Sequence, residues 1–431
     1  MSKKATNIFL LVFAQAINVV VSFIFTPYLV RALPKSVYGT YSQSLFIIEL
    51  VNILTSVAIL QVAMMIFSNS KYKLEDSIKT LLRFSLISGV IGVGLIFIFS
   101  LWAPGLFDNA YLEKILQLYA FSLIGIKLNL LLNQALIKID KSKVILPLSV
   151  MSNLIKLSLA VVAIQYYKSL EMMVVIYVIE PLISSLIQLW VLYMNNYLGG
   201  RYNSTIIKDL FSIGMPLYIV EILGASYTYI SGFIISINLN EEQYAIYRNG
   251  SVELPVIGTI YGTISIIFMS DMMRYIEDRD YQKVASTKKR IINTTAMVIF
   301  PISVFFIIYS KEFITIYLSE KYIESYKIFI AFSMALLIRV QNYSDILIIL
   351  KKSKLVLVSF VVFLIVNISL NLLLSNILGI VGCAIATVVS VYVLAYIQTY
   401  YTVKQLKTSF LNYVDLGKLC KMLALSILMI Y

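Results

Sequence analysis

Stretches of about twenty or more mostly apolar residues recur along this chain, with short polar joints between them. They cover residues 7–30, 41–67, 82–102, 115–137, 144–166 and 172–194 in the first half. In the second half they cover 212–238, 250–270, 292–310, 326–350, 355–377 and 380–402. A helix crosses the roughly 30 Å hydrocarbon core with about 20 residues. Backbone polar groups there must be satisfied within the protein, which leaves helices or closed barrels. Barrel strands need only about 10 residues and alternate strictly, whereas these runs are longer and continuously apolar. The pattern predicts an all-α polytopic membrane protein of about 12 transmembrane helices. The joints are too short to fold as soluble domains. The first run lacks a small-residue cleavage site after it and reads as a retained span.

An internal repeat organises these spans. Leu33-Pro34-Lys35-Ser36-Val37-Tyr38-Gly39-Thr40-Tyr41 follows the first run, and Leu239-Asn240-Glu241-Glu242-Gln243-Tyr244-Ala245-Ile246-Tyr247 follows the seventh. One leucine and two tyrosines fall in register. Six runs per half is an even number, so both halves share one orientation and their pseudo-two-fold axis lies along the membrane normal. The expected division is a six-helix lobe over residues 1–200, a second over 201–405, and an interfacial tail or partial extra helix over 406–431. Gly199 and Gly200 mark the linker. Two such lobes, with a binding site at mid-membrane, are the layout of secondary transporters.

Composition narrows the chemistry. Hydrophobic residues make up 60% and charged residues 13% of the 431, and histidine is absent. Losing the commonest general base and metal ligand argues against an enzyme, so no catalytic set, metal or cofactor is expected. Asp278-Arg279-Asp280 has a D-x-D form, but reads as solvated linker in a charged loop from Asp271 to Arg290. No phosphate-binding G-x-x-x-x-G-K-[ST] occurs. The net charge of +13 raises the question of nucleic acid. Sorting Lys and Arg by alternate joints puts 24 of the 35 on the side of Lys3 and Lys4, and 8 on the other. That bias places the N-terminus in the cytoplasm and leaves no need for a nucleic-acid partner.

Ionisable residues inside spans cost about 2.5–3.5 kcal/mol each on insertion scales, so each implies a cavity or a partner. The basic ones are Lys127, Lys156 and Arg339, with Arg31 and Arg248 at span ends beside the repeated motif. The acidic ones are Glu49, Glu180, Glu221, Glu253 and Asp345. A functional reading makes the cations a lining for an anionic head group, arginine being suited to phosphate by its planar fork. The alternative is mutual neutralisation or snorkelling to the interface. Arg339 and Asp345, six residues apart, do not share a helical face, so each requires an interhelical partner.

The segment Phe25-Thr26-Pro27-Tyr28-Leu29-Val30-Arg31-Ala32-Leu33-Pro34-Lys35-Ser36-Val37-Tyr38-Gly39-Thr40-Tyr41 resembles the first-span ending of Wzx-type polysaccharide biosynthesis flippases. These belong to the multidrug/oligosaccharidyl-lipid/polysaccharide (MOP) exporter superfamily. Ile213-Gly214-Met215-Pro216-Leu217, with Tyr244-Ala245-Ile246-Tyr247 after it, is similar to the second half of the same family; Ala245 departs from Gly39 of the first motif. The resemblance implies translocation of undecaprenyl-pyrophosphate-linked oligosaccharide repeat units across the bacterial inner membrane by alternating access, for O-antigen, capsule or related polysaccharide. It makes Arg31, Lys127, Lys156, Arg248 and Arg339 candidates for pyrophosphate or acidic-sugar contacts. Glu49, Glu221, Glu253 and Asp345 become candidates for coupling to a proton or sodium gradient. Implied partners are the lipid-linked oligosaccharide, the bilayer and a polysaccharide polymerase. A drug/cation antiporter of the same superfamily and a peptidoglycan-precursor flippase are the competing readings.

Overall fold

Most of the described residues in the apolar runs are helical, because a backbone in hydrocarbon has no water to bond and is satisfied most simply by its own i→i−4 ladder. The computed structural model describes residues 21, 23–57, 59–252, 257, 268 and 271–430. Most of the first run, most of the eighth run and Glu253 therefore lie outside the described residues. Six described stretches have the length and apolarity to span: Leu74–Ser100, Tyr111–Lys138, Ser142–Gln165, Leu170–Met194, Tyr281–Ile308 and Ser353–Gln405. Their outward faces carry large apolar side chains in the open, among them Val90, Ile91, Ile98, Leu186, Ile365 and Leu373. Contiguous exposure of that kind suits a lipid surround, not water.

The chain divides into two compact units. The first runs to Ala225 and takes in Asn240–Ala245; the second is Ser226–Leu239 with Ile246–Tyr431. In the first, residues 23–32 are helical. They lead into α1 (Lys35–Leu54), α2 (Ile59–Phe67), α3 (Leu74–Ser100), α4 (Ala103–Phe107), α5 (Tyr111–Ala120), α6 (Ser122–Lys138), α7 (Ile145–Gln165) and α8 (Leu170–Met194). α9 (Ser204–Asn238) carries the chain into the second unit. Local chemistry sets the helix starts. Glu75 and Asp76 occupy the first turn of α3, where the dipole favours anions. Ser169 Oγ accepts the Met172 N–H at 3.1 Å to cap α8. The core gathers Val62, Ile78, Leu81, Leu132, Ala135 and Leu210.

Gly39 shows why the repeated motif differs between its copies. A Cβ there would lie 2.2 Å from the Glu241 carbonyl oxygen, so the backbones of α1 and residue 241 touch directly. Ala245, at the corresponding place 206 residues on, is buried with its methyl accommodated. Gly39→Ala is expected to force these segments apart and to destabilise the fold by about 1–3 kcal/mol. Thermal unfolding in detergent measures this, and an unchanged midpoint would refute the close approach.

The second unit holds α10 (Glu241–Gly250, its start belonging to the first unit), α11 (Tyr281–Ile308), α12 (Ser310–Tyr317), α13 (Ser325–Leu336), α14 (Asp345–Ile349), α15 (Ser353–Gln405), α16 (Phe410–Tyr413) and α17 (Leu416–Ile430). Its core gathers Val284, Ile292, Ala296, Ile299, Ile346 and Tyr413. Asp280 caps α11 by accepting the Lys283 N–H at 3.1 Å. The Lys283 ammonium, 2.8 Å away, also holds the Asp280 carboxyl below its ordinary value.

Several elements differ from the sequence expectation. The second run, 41–67, is two helices, with residues 55–57 outside both. The tenth, 326–350, is interrupted over residues 337–344. The eleventh and twelfth join in α15, broken only at Gly379, whose φ of 56° and ψ of −136° no side-chain-bearing residue adopts without strain. The charged loop from Asp271 to Arg290 shrinks to a short turn, because residues 271–277 are helical and α11 starts at Tyr281. The tail is a 15-residue helix lying on the α11 core through Leu419, Met422 and Leu423.

Candidate functional site

The first unit contains a helix end inside its apolar layer. α1 stops at Leu54, and Val57 adopts φ 44°, a left-handed conformation costly for a β-branched residue. The last four carbonyls of any helix lack intrahelical partners, and in an apolar layer each must find one. Here all four do. Val51 O accepts the Thr55 N–H at 3.0 Å and its hydroxyl at 2.7 Å. Asn52 O accepts the Lys127 ammonium at 2.5 Å and the Ser56 hydroxyl at 2.6 Å. Ile53 O accepts the Ser56 N–H at 3.1 Å, and Leu54 O accepts the Tyr218 hydroxyl at 2.5 Å. The Ser88 hydroxyl closes on Thr55 O.

Three elements supply these partners. Lys127 comes from α6 with 1% of its surface exposed, and also reaches Ser56 Oγ at 2.6 Å. Ser88 comes from α3. From α9 come Gly214, Tyr218 and Glu221, spaced i, i+4, i+7 and so on one face. A Cβ on Gly214 would be 3.0 Å from Val57 O, and the Glu221 charge reaches Lys127. Half-helix C-terminal ends bind cations in broken-helix transporters. In this unit a tethered ammonium occupies that negative pole, held by neutral oxygens.

A second polar group lies on α7 and α8. Lys156 Nζ is 3.6 Å from Glu180 Oε2, both side chains about one-fifth exposed, and 5.2 Å over the Tyr177 ring. Tyr177 meets Tyr41 edge-on at 6.2 Å and Tyr119 at 6.5 Å, and Glu49 is half-buried on α1. A cation over an aromatic face gains about 0.5–2 kcal/mol. Further along α8, Pro181 O accepts Asn129 Nδ2 at 2.8 Å, and Gln188 Nε2 donates to Asn129 Oδ1 at 3.0 Å. These side chains line the α6–α8 seam with donors and acceptors.

In the second unit Lys288 is the buried cation. Its ammonium bonds Asp345 Oδ2 at 2.5 Å and Asn342 O at 2.8 Å, with 1% and 10% of the two charged side chains exposed. This pair stitches α11 to the interruption before α14, where Tyr413 Oη also donates to Gln341 Oε1 at 3.3 Å.

The structure therefore places Lys127 at the helix break, with Glu221 on the α9 face that carries Gly214 and Tyr218 to it, and sets Lys156 with Glu180 beside Tyr177. Asp345 has the interhelical partner its position required. Arg31 is exposed in the last turn of the helical stretch 23–32; Arg248 on α10 and Arg339 in the interruption are half-buried. Sequence reasoning missed Ser56, Tyr177 and Lys288. The adjacent Thr55-Ser56 hydroxyls were the one local sign of a break. Lys288 was hidden in the run Lys288-Lys289-Arg290, which reads as a solvated joint.

Comparison with known proteins places this geometry. No curated protein matches the sequence. Among solved structures, the lipid II flippase MurJ in an inward closed conformation superposes with a TM-score of 0.73 at 16% identity, covering 97% of this chain and 91% of MurJ. An inward-facing multidrug resistance MATE transporter of the MOP superfamily gives 0.67 at 14% identity, covering 90% and 94%. A MOP superfamily transporter from Pyrococcus furiosus gives 0.59 at 13%, covering 94% and 95%. At such identities these likenesses establish the fold: an all-α, multi-pass membrane protein of the MOP type, with about 12 spans in two lobes. The polysaccharide biosynthesis protein profile matches residues 28–327, well over half of the sequence, and the chain belongs to that family.

Proposed function

We propose that this protein flips undecaprenyl-pyrophosphate-linked oligosaccharides across a bacterial cytoplasmic membrane by alternating access, without catalysing a covalent step. The family match over residues 28–327 carries this reading. The chemistry of the first unit supports it. Lys127 is a deeply placed cation whose hydrogen bonds go to neutral oxygens. Lys156, over the Tyr177 ring, adds a second cation next to an aromatic face of the kind that packs on sugars. Arg31, Arg248 and Arg339 are further candidate contacts for pyrophosphate or acidic sugar. Glu49, Glu221 and Glu253 are candidates for ion coupling. Asp345 is the weakest of that set, because its carboxylate is committed to Lys288.

The test is complementation. A bacterium lacking its own O-antigen flippase, given this chain and the matching glycosyltransferases, is expected to regain surface glycan. Properly inserted protein with glycan lipid trapped inside would sink the proposal. The likeness to MurJ favours a peptidoglycan precursor as the second reading, and rescue of a strain depleted of its lipid II flippase would select it. In the same cells a reporter fused in the turn before Glu241 should read periplasmic and one at Asp278 cytoplasmic. The opposite result would invert the proposed topology.

A further inference from the structure

α11 and α17 run side by side in the same direction. Lys289, near the start of α11, donates to Leu411 O at 3.1 Å and lies 3.6 Å from Asp415, just before α17. At the far end the Tyr309 hydroxyl meets Ile430 O at 3.4 Å. Between the two helices is a cavity of about 380 Å³ lined by Ser286, Lys289, Arg290, Asn293, Thr294, Met297, Lys418 and Met422. It has a polar end and an apolar end. Lys289, Arg290 and Lys418 line it, and the Asp415 carboxylate offsets the Lys289 charge. Arg290 also lies 5.4 Å over the Phe268 ring, which fixes its guanidinium without neutralising it. Met297 is seven residues beyond Arg290, about 10 Å deeper at 1.5 Å per residue. It is 69% exposed, and Leu425 and Met429 on α17 are exposed as well.

We propose that this cavity binds the phosphate of an anionic glycerophospholipid from the surrounding leaflet. The phosphate sits among Lys289, Arg290 and Lys418, hydroxyl and amide donors come from Thr294 and Asn293, and an acyl chain runs down past Met297 and Met422. Basic pockets between membrane helices recognise such head groups. A soluble phosphate would use the cations but not the apolar end, so the amphipathic layout selects a lipid. The occupied cavity ties α17 to α11 through the lipid as well as through protein contacts. None of the candidate transport residues takes part.

The experiment is native mass spectrometry of the full chain in detergent, titrated with short-chain phosphatidylglycerol or phosphatidylcholine. Phosphatidylglycerol is expected to bind at least fivefold more tightly. That preference should fall to near parity in Arg290→Gln/Lys418→Gln, whose side chains are exposed. The unfolding midpoint in phosphatidylcholine serves as the folding control, and Lys418→Arg should retain the preference. Equal binding of both lipids, or a preference unchanged in the double variant, would overturn the proposal. Displacement of phosphatidylglycerol by millimolar inorganic phosphate would overturn the lipid assignment in favour of a free anion.

Discussion

Asp345→Ala should destabilise the protein by about 3–5 kcal/mol, more than either Gly39→Ala or Lys127→Met. The reason lies in Lys288, which is almost completely enclosed and has Asp345 Oδ2 at 2.5 Å. Without the carboxylate its ammonium keeps only Asn342 O, and a buried charge without a counter-ion is among the costliest features a fold can carry. The start of α14 would lose its charged attachment to α11. Lys288→Met should be less damaging, because a neutral chain of similar length leaves the smaller carboxylate near the edge, where it is 10% exposed. The double variant Lys288→Met/Asp345→Ala should recover much of the stability, since apolar replacement of a buried pair is often neutral or favourable. Thermal unfolding of the four proteins in one detergent closes the cycle. A coupling energy near zero would show that the two charges do not depend on each other.

The second large effect is expected at Lys127. Lys127→Met keeps the length of the side chain and removes the charge and its donors. Asn52 O would retain the Ser56 hydroxyl, so folding should survive with a loss of about 1.5–3 kcal/mol, the range for a hydrogen bond to a charged group. Glycan export in the complementation strain should fall at least tenfold with the protein still in the membrane. Tyr218→Phe is the informative control. It strips the cap from Leu54 O, two residues along the same helix end, and so weakens the break without altering its charge. Export that drops in Lys127→Met and persists in Tyr218→Phe assigns the effect to the cation. Normal export in Lys127→Met would mean that the ammonium serves only to close the helix end.

These two lysines also show how far a sequence can be read. Lys127 was visible because a charge stood near the middle of a long apolar run, and such a charge has few innocent explanations. Its hydrogen-bond acceptor, a backbone carbonyl 75 residues earlier, had no sequence signal at all. Lys288 was invisible for the opposite reason: it is flanked by Lys289 and Arg290, and three cations in a row look like a wetted joint. Only the helical phase of α11 sorts them, turning Lys288 inward to Asp345 while Lys289 faces Asp415 and Arg290 stays exposed. The Lys156–Glu180 pair was legible as two intramembrane charges of opposite sign; the tyrosines around it were not, since aromatic residues occur throughout the chain.

The sequence alone determined the solvent, the secondary structure and the family resemblance. Apolar length is a local property, and hydrocarbon permits so few backbone solutions that length converts directly into helices. The breaks were decided elsewhere. Residues 55–57 and 337–344 leave the helix at places where distant side chains satisfy the freed backbone: Lys127 and Tyr218 at the first, Lys288 in the second, where Tyr413 also holds the Gln341 side chain. An interruption in an apolar layer is stable only if its partners arrive from other helices, and which helices meet is a tertiary fact. For the same reason Gly39 had to wait for the carbonyl of Glu241 to explain it. The basic cavity between α11 and α17 likewise depended on two segments more than a hundred residues apart folding side by side.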